Sequence, residues 1–444
     1  MTCASINFKV RRYHATLDTL NPLRVYGKVS RLIGIVIEGI GPGASVGTLC
    51  DIYPHGSSTP IRAEVVGFQK NRIFLMPIGS TSGIAPGSRI VALNVKPTVP
   101  VSSHMLGRVL DGMGNPIDDR GPLACECNYP LYVDPINPLH RQIISEPLDV
   151  GIKAINGFLT CGKGQRMGIF AGSGVGKSVL LGMIAKNTKA DVTVIGLVGE
   201  RGREVREFIE RDLGFEGLQK AVVVAATSDQ PPLIRIRGAH VATAIAEFFR
   251  DQGKDVLLLM DSITRLAMAQ REIGLATGEP PTTKGYTPSV FSFLPRLLER
   301  AGNVSRSGSI TGMYTILVEG DDMNDPVADT VRSILDGHIV LSRDLANRGH
   351  YPAIDVLQSI SRVMPYIIPA HHMECVQKLL AVLDTYKKSE DLIKIGAYLK
   401  GSNKQIDHAI SLIDKINAFL QQQQNEKFTL EQSVAAMQTL VQLS

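Results

Sequence analysis

The chain has 444 residues, of which 44% are hydrophobic and 20% are charged, so it is too long for one ordinary core and too apolar to be disordered. Tryptophan is absent and aromatic residues make up only 5%, which leaves few surfaces for stacking the bases of single-stranded nucleic acid. The net charge of +5, from 47 basic and 42 acidic residues, is too small to indicate a nucleic-acid partner. Six cysteines are scattered along the chain, as in reduced cytosolic proteins, and no apolar run approaches the length needed to cross a bilayer.

The first 24 residues lack the apolar core of a secretory signal, which favours a protein that stays in the cytosol. Basic side chains at Lys9, Arg11 and Arg12 are interspersed there with apolar ones. Such a pattern suits contact with an anionic surface or a partner helix, and it equally suits a frayed basic tail. The residues alone leave both interpretations open.

Between residues 25 and 96, short β-prone runs are separated by turns rich in glycine and proline. The runs at 49–53 and 63–68 and the turn at 39–43 show this spacing best. Short strands spaced in this way predict a small closed barrel, and nothing in the segment carries a catalytic pattern. The stretch at 106–120 is dense in turn residues and is interpreted as a connector.

A glycine-rich loop between an apolar run and a helical pattern is the most informative feature of the chain. Its residues are Ala171, Gly172, Ser173, Gly174, Val175, Gly176, Lys177 and Ser178. Glycines allow the positive φ angles and the close backbone approach by which successive N–H groups surround a phosphate chain. Lys177 would reach the terminal phosphates and the Ser178 hydroxyl would bind Mg²⁺, so the loop predicts binding of a nucleoside triphosphate. Ala171 stands where the generic P-loop (Walker A) pattern G-x-x-x-x-G-K-[ST] has its first glycine.

After this loop, apolar runs alternate with helical patterns. The runs lie at 192–198, 221–225, 256–260, 313–318 and 338–341. Such alternation predicts a parallel sheet that helices cover on both faces. From about residue 365 onward, apolar residues recur at helical spacing and predict a C-terminal helical domain.

Two acidic residues follow apolar runs directly. Asp261 ends the run at 256–260, and at the carboxyl edge of the sheet it would hold Mg²⁺ beside Ser178; its alternative role is that of a helix cap. Glu200 follows the run at 192–198, and a carboxylate there can orient a water molecule for in-line attack on the γ-phosphate. For Glu200 the alternative is a charge cluster that initiates a helix.

A tyrosine and an arginine complete the set of candidate residues. Tyr351 would stack on adenine. Arg362 would neutralise charge in the transition state, an effect worth about three to five powers of ten in such enzymes. Either residue can have a structural role instead, and the spacing alone does not decide between these roles.

Taken together, these elements resemble the catalytic-subunit superfamily of the rotary F- and V-type ATPases over nearly the whole chain. The decapeptide PAIDVLQSIS at 352–361 matches the signature of that superfamily. Within it, the chain is most similar to the ATPases of type III protein export, on the tracts GLVGERGREV at 196–205, MDSITRLAMAQREIG at 260–274 and VEGDDMNDP at 318–326. The tract SILDGHIVLSRDLANRGHY at 333–351 resembles the flagellar branch more than the virulence branch, and an alanine at position 171 is normal for this family.

The resemblance implies an α/β fold with a RecA-like parallel-sheet nucleotide-binding domain at residues 97–364. A β-barrel domain at 25–96 would precede it and a C-terminal helical domain at 365–444 would follow it. Residues 1–24 would form a partner-binding segment. The implied activity is hydrolysis of the ATP phosphoanhydride bond, with ATP and Mg²⁺ bound, in the service of flagellar protein export.

The resemblance further implies a homohexameric ring with ATP sites between subunits. One subunit would supply most of each site, and its neighbour would supply Arg362 across the interface. The residues from the first subunit would be Lys177, Ser178, Glu200, Arg201 and Asp261, with Tyr351 near the adenine.

The implied partners are a peripheral-stalk regulator that binds the N-terminal segment, a central-stalk-like protein in the ring, export chaperones with their substrates, and the membrane export gate. The protein would be cytoplasmic, would associate peripherally with the inner membrane at the export apparatus, and would bind no nucleic acid.

The nearest alternative is an ATPase of a virulence-type type III secretion system. Hexameric RNA translocases of the Rho type share the lead-in KGQR at 163–166, but their N-domain is aromatic and basic and this one is poor in both. A non-catalytic ring subunit is disfavoured because Lys177 and Glu200 are both present.

Overall fold

A computed structural model describes residues 25–93, 95–304, 308–318, 320 and 322–442. The segment at 1–24, predicted to bind a partner, lies outside these residues. The chain divides into two compact units, Met1–Pro97 and Thr98–Ser444.

The first unit contains a closed six-stranded antiparallel barrel. Its strands are β1 (Gly27–Ile33), β2 (Val36–Ile40), β3 (Leu49–Tyr53), β4 (Ile61–Gln69), β5 (Arg72–Pro77) and β6 (Arg89–Ala92). They follow the order β1-β2-β5-β4-β3-β6, and pairing of Gly27 with Ile90 closes the ring. Alternate residues such as Cys50 and Ile52, or Ala63 and Val65, point into the barrel core, as the period of two in a strand requires. The barrel predicted from the sequence is confirmed.

The second unit mixes strands and helices. The strands are β7 (Thr98–Val101), β8 (Val109–Asp111), β9 (Cys127–Pro130), β10 (Pro147–Leu148), β11 (Cys161–Gly162), β12 (Arg166–Ala171), β13 (Val192–Val198), β14 (Ala221–Ala226), β15 (Asp255–Asp261), β16 (Gly302–Asn303), β17 (Ser309–Leu317), β18 (Gly337–Leu341) and β19 (Ile360–Ser361). The helices are α1 (Lys153–Phe158), α2 (Lys177–Asn187), α3 (Gly202–Glu207), α4 (Gly214–Gln219), α5 (Pro232–Asp251), α6 (Ile263–Ala276), α7 (Pro288–Leu298), α8 (Pro326–Ile334), α9 (Arg343–Asn347), α10 (Met364–Ile367), α11 (Ala370–Lys394), α12 (Lys404–Leu420) and α13 (Leu430–Gln442). A π-helical turn covers Phe208–Leu213, and 3₁₀ turns cover Ser103–Met105, Pro138–His140 and Thr283–Gly285.

Nine described strands of the second unit build one large sheet in the order β19-β18-β12-β17-β15-β13-β14-β8, with β16 paired to β17 as well, and the pairs β7-β9 and β10-β11 form two small sheets. From β18 to β8 every neighbouring pair in this order is parallel, whereas β19 is an antiparallel edge. The five apolar runs predicted to be parallel strands correspond to β13, β14, β15, β17 and β18. All residues of β13 and β14 are buried, because helices cover both faces of the sheet.

The short edge strand β8 was missed in the sequence. Residues 106–120, interpreted as a connector, contain β8, which pairs with β14 at the edge of the sheet. Only three residues form this strand, and turn residues surround it, so no periodicity reveals it.

The C-terminal helices α11, α12 and α13 pack against α1 and the core of the large sheet. Their apolar residues belong to the same core as those of α1 and α2. At Gly157 in α1 the packing leaves no room for a side chain, because a Cβ would lie 2.7 Å from the sulfur of Met437 and 3.2 Å from the ring of Phe419. Among the described helices, none combines the length and the apolar character needed to cross a membrane.

Candidate functional site

The glycine-rich loop lies between the end of β12 and the start of α2, at the carboxyl edge of the sheet. Gly174 has a φ of 80° and Gly176 a φ of 88°, a backbone region that side chains disfavour. Ala171 is the last residue of β12, is buried, and pairs with Leu317 and Leu341 on the two neighbouring strands. A strand residue needs no positive φ, so the alanine is compatible with the loop although the generic pattern has glycine there.

Lys177, at the first turn of α2, meets two carboxylates from neighbouring strands. Its ammonium contacts the carboxylate of Asp261, which is the last residue of β15. Its Nζ also lies 3.7 Å from Oε1 of Glu200, in the loop after β13. The side chains of Lys177, Glu200 and Asp261 are 11%, 12% and 5% exposed, so these charges interact in a largely dry environment.

The Asp261 carboxylate is fixed from inside the sheet. The buried hydroxyl of Thr315 on β17 donates a hydrogen bond of 2.6 Å to Oδ1 of Asp261. Because Oδ1 also contacts Lys177, two donors hold this carboxylate in one orientation. Asp261 therefore presents a positioned carboxylate at the sheet edge and does not act as an ordinary helix cap; the side chain of Ser262 caps α6 instead.

Glu200 has the electrostatic character expected of a group that takes part in proton transfer. Burial raises the pKa of its carboxyl, the nearby Lys177 lowers it, and the charge of Asp261 raises it further, with the net shift upward. Oε1 of Glu200 is buried and accepts no hydrogen bond from the described residues. The preceding Gly199 has a φ of 74° and no room for a Cβ, which would lie 2.7 Å from Cβ of Arg265. This tight turn directs Glu200 toward Lys177.

Lys177 and Glu200 line a cleft of about 520 Å³, whereas Asp261 contacts Lys177 and is not itself part of the lining. Its lining includes the predicted residues Gly172, Ser173, Gly174, Gly176, Lys177, Ser178, Glu200 and Arg201. The Arg201 side chain is 71% exposed and pairs with Glu204 at 3.1 Å, so it lies at the mouth of the cleft. The cleft is also lined by Thr264, Arg265 and Arg343, which sequence reasoning missed. A usable signal was present, because Arg265 follows β15 and Arg343 follows β18, and the carboxyl ends of both strands meet at this edge.

The residues at this edge suit a magnesium ion that is shared with phosphates. Mg²⁺ is usually held by one or two carboxylates together with waters and substrate phosphates, and not by a cage of protein ligands alone. Within the described ranges, no group of three or more His, Cys, Asp or Glu side chains forms such a cage. Asp261 and Ser178 offer one carboxylate and one hydroxyl at the same sheet edge, which fits the shared arrangement.

Tyr351 lies beside the glycine-rich loop. A Cβ at Gly176 would be 3.4 Å from the Tyr351 ring, so the ring lies next to this glycine of the loop. Tyr351 is 45% exposed, and its carbonyl accepts a 3.0 Å hydrogen bond from the backbone N–H of Gln422. An exposed aromatic face beside the loop is able to stack on a nucleotide base.

Arg362 lies elsewhere. It is exposed and directly follows β19, whose pairing with Gly337 and His338 places it at the amino end of β18. The glycine-rich loop is at the opposite, carboxyl end of these strands. The strand β12, which runs between the two ends, is about 20 Å long at roughly 3.3 Å per residue. The structure therefore brings Lys177, Glu200, Asp261 and Tyr351 to one edge and does not bring Arg362 to them.

Three family models match the chain: the ATP synthase alpha/beta family nucleotide-binding domain over residues 151–361, the beta-barrel domain of that family over 29–94, and the T3SS EscN ATPase C-terminal domain over 368–439. The flagellum-specific ATP synthase of Bacillus subtilis is 57% identical over 427 residues, which are 96% of this chain and 97% of that protein. The type 3 secretion system ATPase of Xanthomonas euvesicatoria is 50% identical, over 91% of this chain and 92% of that protein.

Solved structures give the same result. The assembled ATPase EscN from the enteropathogenic E. coli type III secretion system has a TM-score of 0.88 and 44% identity, covering 94% of this chain and 100% of EscN. EscN in complex with its central stalk EscO has a TM-score of 0.85 with the same identity and coverage.

Proposed function

The chain belongs to the ATP synthase alpha/beta family, among its flagellum-specific and type III secretion ATPases, and we propose that it hydrolyses ATP to energise or prepare the export of flagellar subunits from the cytoplasm. The strongest support comes from Lys177, which lies at the end of the glycine-rich loop and forms ion pairs with both Glu200 and Asp261. The 57% identity with the flagellum-specific protein of Bacillus subtilis supports the flagellar system as the setting.

Nucleotide binding uses the backbone first. The N–H groups of residues 172–178 surround the phosphates, and Lys177 turns from Asp261 to the terminal phosphates when they enter. Tyr351 stacks on the adenine. Ser178 and Asp261 would hold Mg²⁺, which would supply positive charge to the bound phosphates.

Hydrolysis uses Glu200. Its carboxylate accepts a hydrogen bond from the attacking water and orients it for in-line displacement at the γ-phosphate. The raised pKa of Glu200 makes it a stronger base than an exposed glutamate once it is ionised. Arg201 at the mouth of the cleft adds positive charge next to the reacting phosphate.

The active form is a homohexameric ring. Arg362 lies at the sheet edge opposite its own cleft, so it is suited to reach the cleft of a neighbour and to neutralise transition-state charge there. The relative EscN is described as an assembled ATPase and forms a complex with a central stalk, which supports a ring and a stalk-like partner for this chain. The domain bounds 25–96, 97–364 and 365–444 are part of the same proposal.

Further partners rest on the family resemblance. A peripheral-stalk regulator binds residues 1–24, export chaperones deliver substrates, and the membrane export gate receives them. The protein works in the cytoplasm and associates peripherally with the inner membrane at the export apparatus.

A virulence-type secretion ATPase is the second candidate, because residues 368–439 match a domain named for such an ATPase and a secretion-system relative is 50% identical. Deleting the gene separates the two candidates. We expect loss of swimming and of flagellar filaments, restored by the wild-type gene and not by a Glu200→Gln gene. Normal filaments in the deletion strain, with loss of secretion through a needle complex, would contradict the flagellar proposal and support the second candidate.

A further inference from the structure

Gln165 lies at the sheet edge that carries Arg362. It directly precedes β12 and is completely buried. Its side-chain oxygen accepts a hydrogen bond of 2.8 Å from the N–H of Gly162, which fixes the orientation of the amide. The amide nitrogen then points toward the segment that contains β19 and Arg362. A buried amide with this orientation is able to set the position of a neighbouring backbone segment.

The Gln165 amide nitrogen donates to two groups that adjoin Arg362. One is the hydroxyl of Ser361 at 3.0 Å, and the other is the carbonyl of Asp336 at 3.3 Å. The same Asp336 carbonyl accepts the backbone N–H of Arg362 at 3.0 Å. Gln165 therefore contacts the residue before Arg362 and the acceptor that holds the Arg362 backbone.

The surrounding groups are fixed as well. The Ser361 hydroxyl donates to the carbonyl of Thr160 at 2.9 Å, and Ser361 is buried. The carboxylate of Asp336 accepts two 3.0 Å hydrogen bonds from the guanidinium of Arg166. The side chain of Arg362 is exposed at the surface. The segment is thus rigid up to the Cα of Arg362, which is the arrangement that precise placement of a catalytic group requires.

We propose that Gln165 is a positioning residue for Arg362, and that together with Ser361 it holds the arginine at the orientation needed in the cleft of the neighbouring subunit. This inference rests on the proposed donation of Arg362 across the interface. Displacement of a catalytic group by about 1 Å costs roughly 10²-fold in rate, and the arginine itself contributes about 10³- to 10⁵-fold. We therefore expect Gln165→Met to lower kcat about 10- to 100-fold with KM for ATP unchanged.

The competing explanation is an effect within the same subunit, because β12 links Gln165 to the glycine-rich loop. Mixed rings separate the two explanations. Arg362→Ala subunits retain an intact loop, and Lys177→Ala subunits retain an intact arginine, so mixing them restores activity at the interfaces where the intact parts meet. In a Lys177→Ala/Gln165→Met subunit the loop is already inactive, and any effect of Gln165 on the mixture must act through the donated arginine.

We expect mixtures of Arg362→Ala with Lys177→Ala/Gln165→Met to lose about 10- to 100-fold of the restored activity. Lys177→Ala/Ser361→Ala should give the same loss although it removes only one hydroxyl group. Lys177→Ala/Ser361→Thr retains the hydroxyl and should retain the restored activity. Ser333→Ala is the matched control, because the Ser333 hydroxyl donates a 2.7 Å hydrogen bond to the carbonyl of Thr330 within its own helix. Each variant is first checked for an unchanged thermal transition and for ring assembly.

Two outcomes overturn the inference, and they differ. Equal restoration with and without the Gln165 and Ser361 changes shows that neither residue positions Arg362, while the donated arginine itself stands. No restoration by the plain Lys177→Ala partner in rings shown to be mixed removes the donated arginine, and with it the inference.

Discussion

Replacing Glu200 with glutamine changes the charge and basicity of one side chain and leaves its shape nearly intact. Oε1 of Glu200 lies 3.7 Å from Nζ of Lys177, and the Glu200 side chain is only 12% exposed. Because glutamine has nearly the same shape as glutamate, the packing around this side chain stays the same in the variant. A general base contributes about 10²- to 10⁴-fold to a rate. We therefore expect kcat to fall by that factor, which corresponds to a barrier higher by about 3 to 5 kcal/mol. ATP affinity stays the same or increases, because a negative charge near the phosphates is removed.

The pH dependence provides an independent check of the same prediction. Burial, as the largest cause, raises the pKa of Glu200 above that of an exposed glutamate, which is about 4.3. The base works only when it is ionised, so kcat of the wild type decreases as the pH falls through this raised pKa and is fully expressed above it. In Glu200→Gln this acidic limb disappears. The assays are phosphate release at saturating Mg-ATP across pH and equilibrium titration with a fluorescent ATP analogue. Wild-type turnover in the variant, or an unchanged acidic limb, would remove Glu200 from the role of base.

Three further predictions concern other parts of the site and the core. Asp261→Asn keeps the hydrogen bond from Thr315 and loses the negative charge. Loss of a residue that only supports a metal ligand costs roughly 10- to 100-fold in metal affinity, so the Mg²⁺ concentration for half-maximal hydrolysis should rise by more than this factor. An unchanged Mg²⁺ titration would contradict this prediction. Tyr351→Ala should raise KM for ATP roughly 5- to 150-fold, since stacking on a base is worth about 1 to 3 kcal/mol, and Tyr351→Phe, which keeps the ring, should retain most of the binding. Arg300→Met should lower the free energy of unfolding by about 3 to 5 kcal/mol in a denaturant titration, because Arg300 is 1% exposed and its partner Glu247, bonded at 2.6 and 2.9 Å, would be left as a buried unpaired charge.

The parts of the site that could be predicted from the sequence are those whose position follows from chain order alone. Asp261 comes directly after an apolar run and Glu200 comes two residues after one, and parallel strands bring their carboxyl ends to one edge of a sheet. The glycine-rich loop is recognisable because its backbone angles demand glycine at Gly174 and Gly176. For these residues, no knowledge of side-chain packing is needed.

The residues that were missed depend on packing. Thr315 lies inside a buried strand, where threonine is common for its β-propensity, and only the neighbouring strand shows that its hydroxyl holds Asp261. The same holds for Gln165, whose partners Asp336 and Ser361 are distant in the sequence. Contacts of this kind are not encoded in local spacing.

The placement of Arg362 gives a physical reason for assembly. In a parallel sheet, the amino ends and the carboxyl ends of the strands are separated by the strand length. Here the glycine-rich loop lies at the carboxyl end of β12, and Arg362 lies at the amino end of the adjacent β18. No rotamer of an arginine spans about 20 Å, so under the proposed mechanism one subunit cannot complete its own site. Under the proposal, a ring resolves this because a neighbouring subunit supplies the arginine. The specific activity should accordingly rise with protein concentration until rings are complete, since under the proposal a monomer lacks the donated arginine.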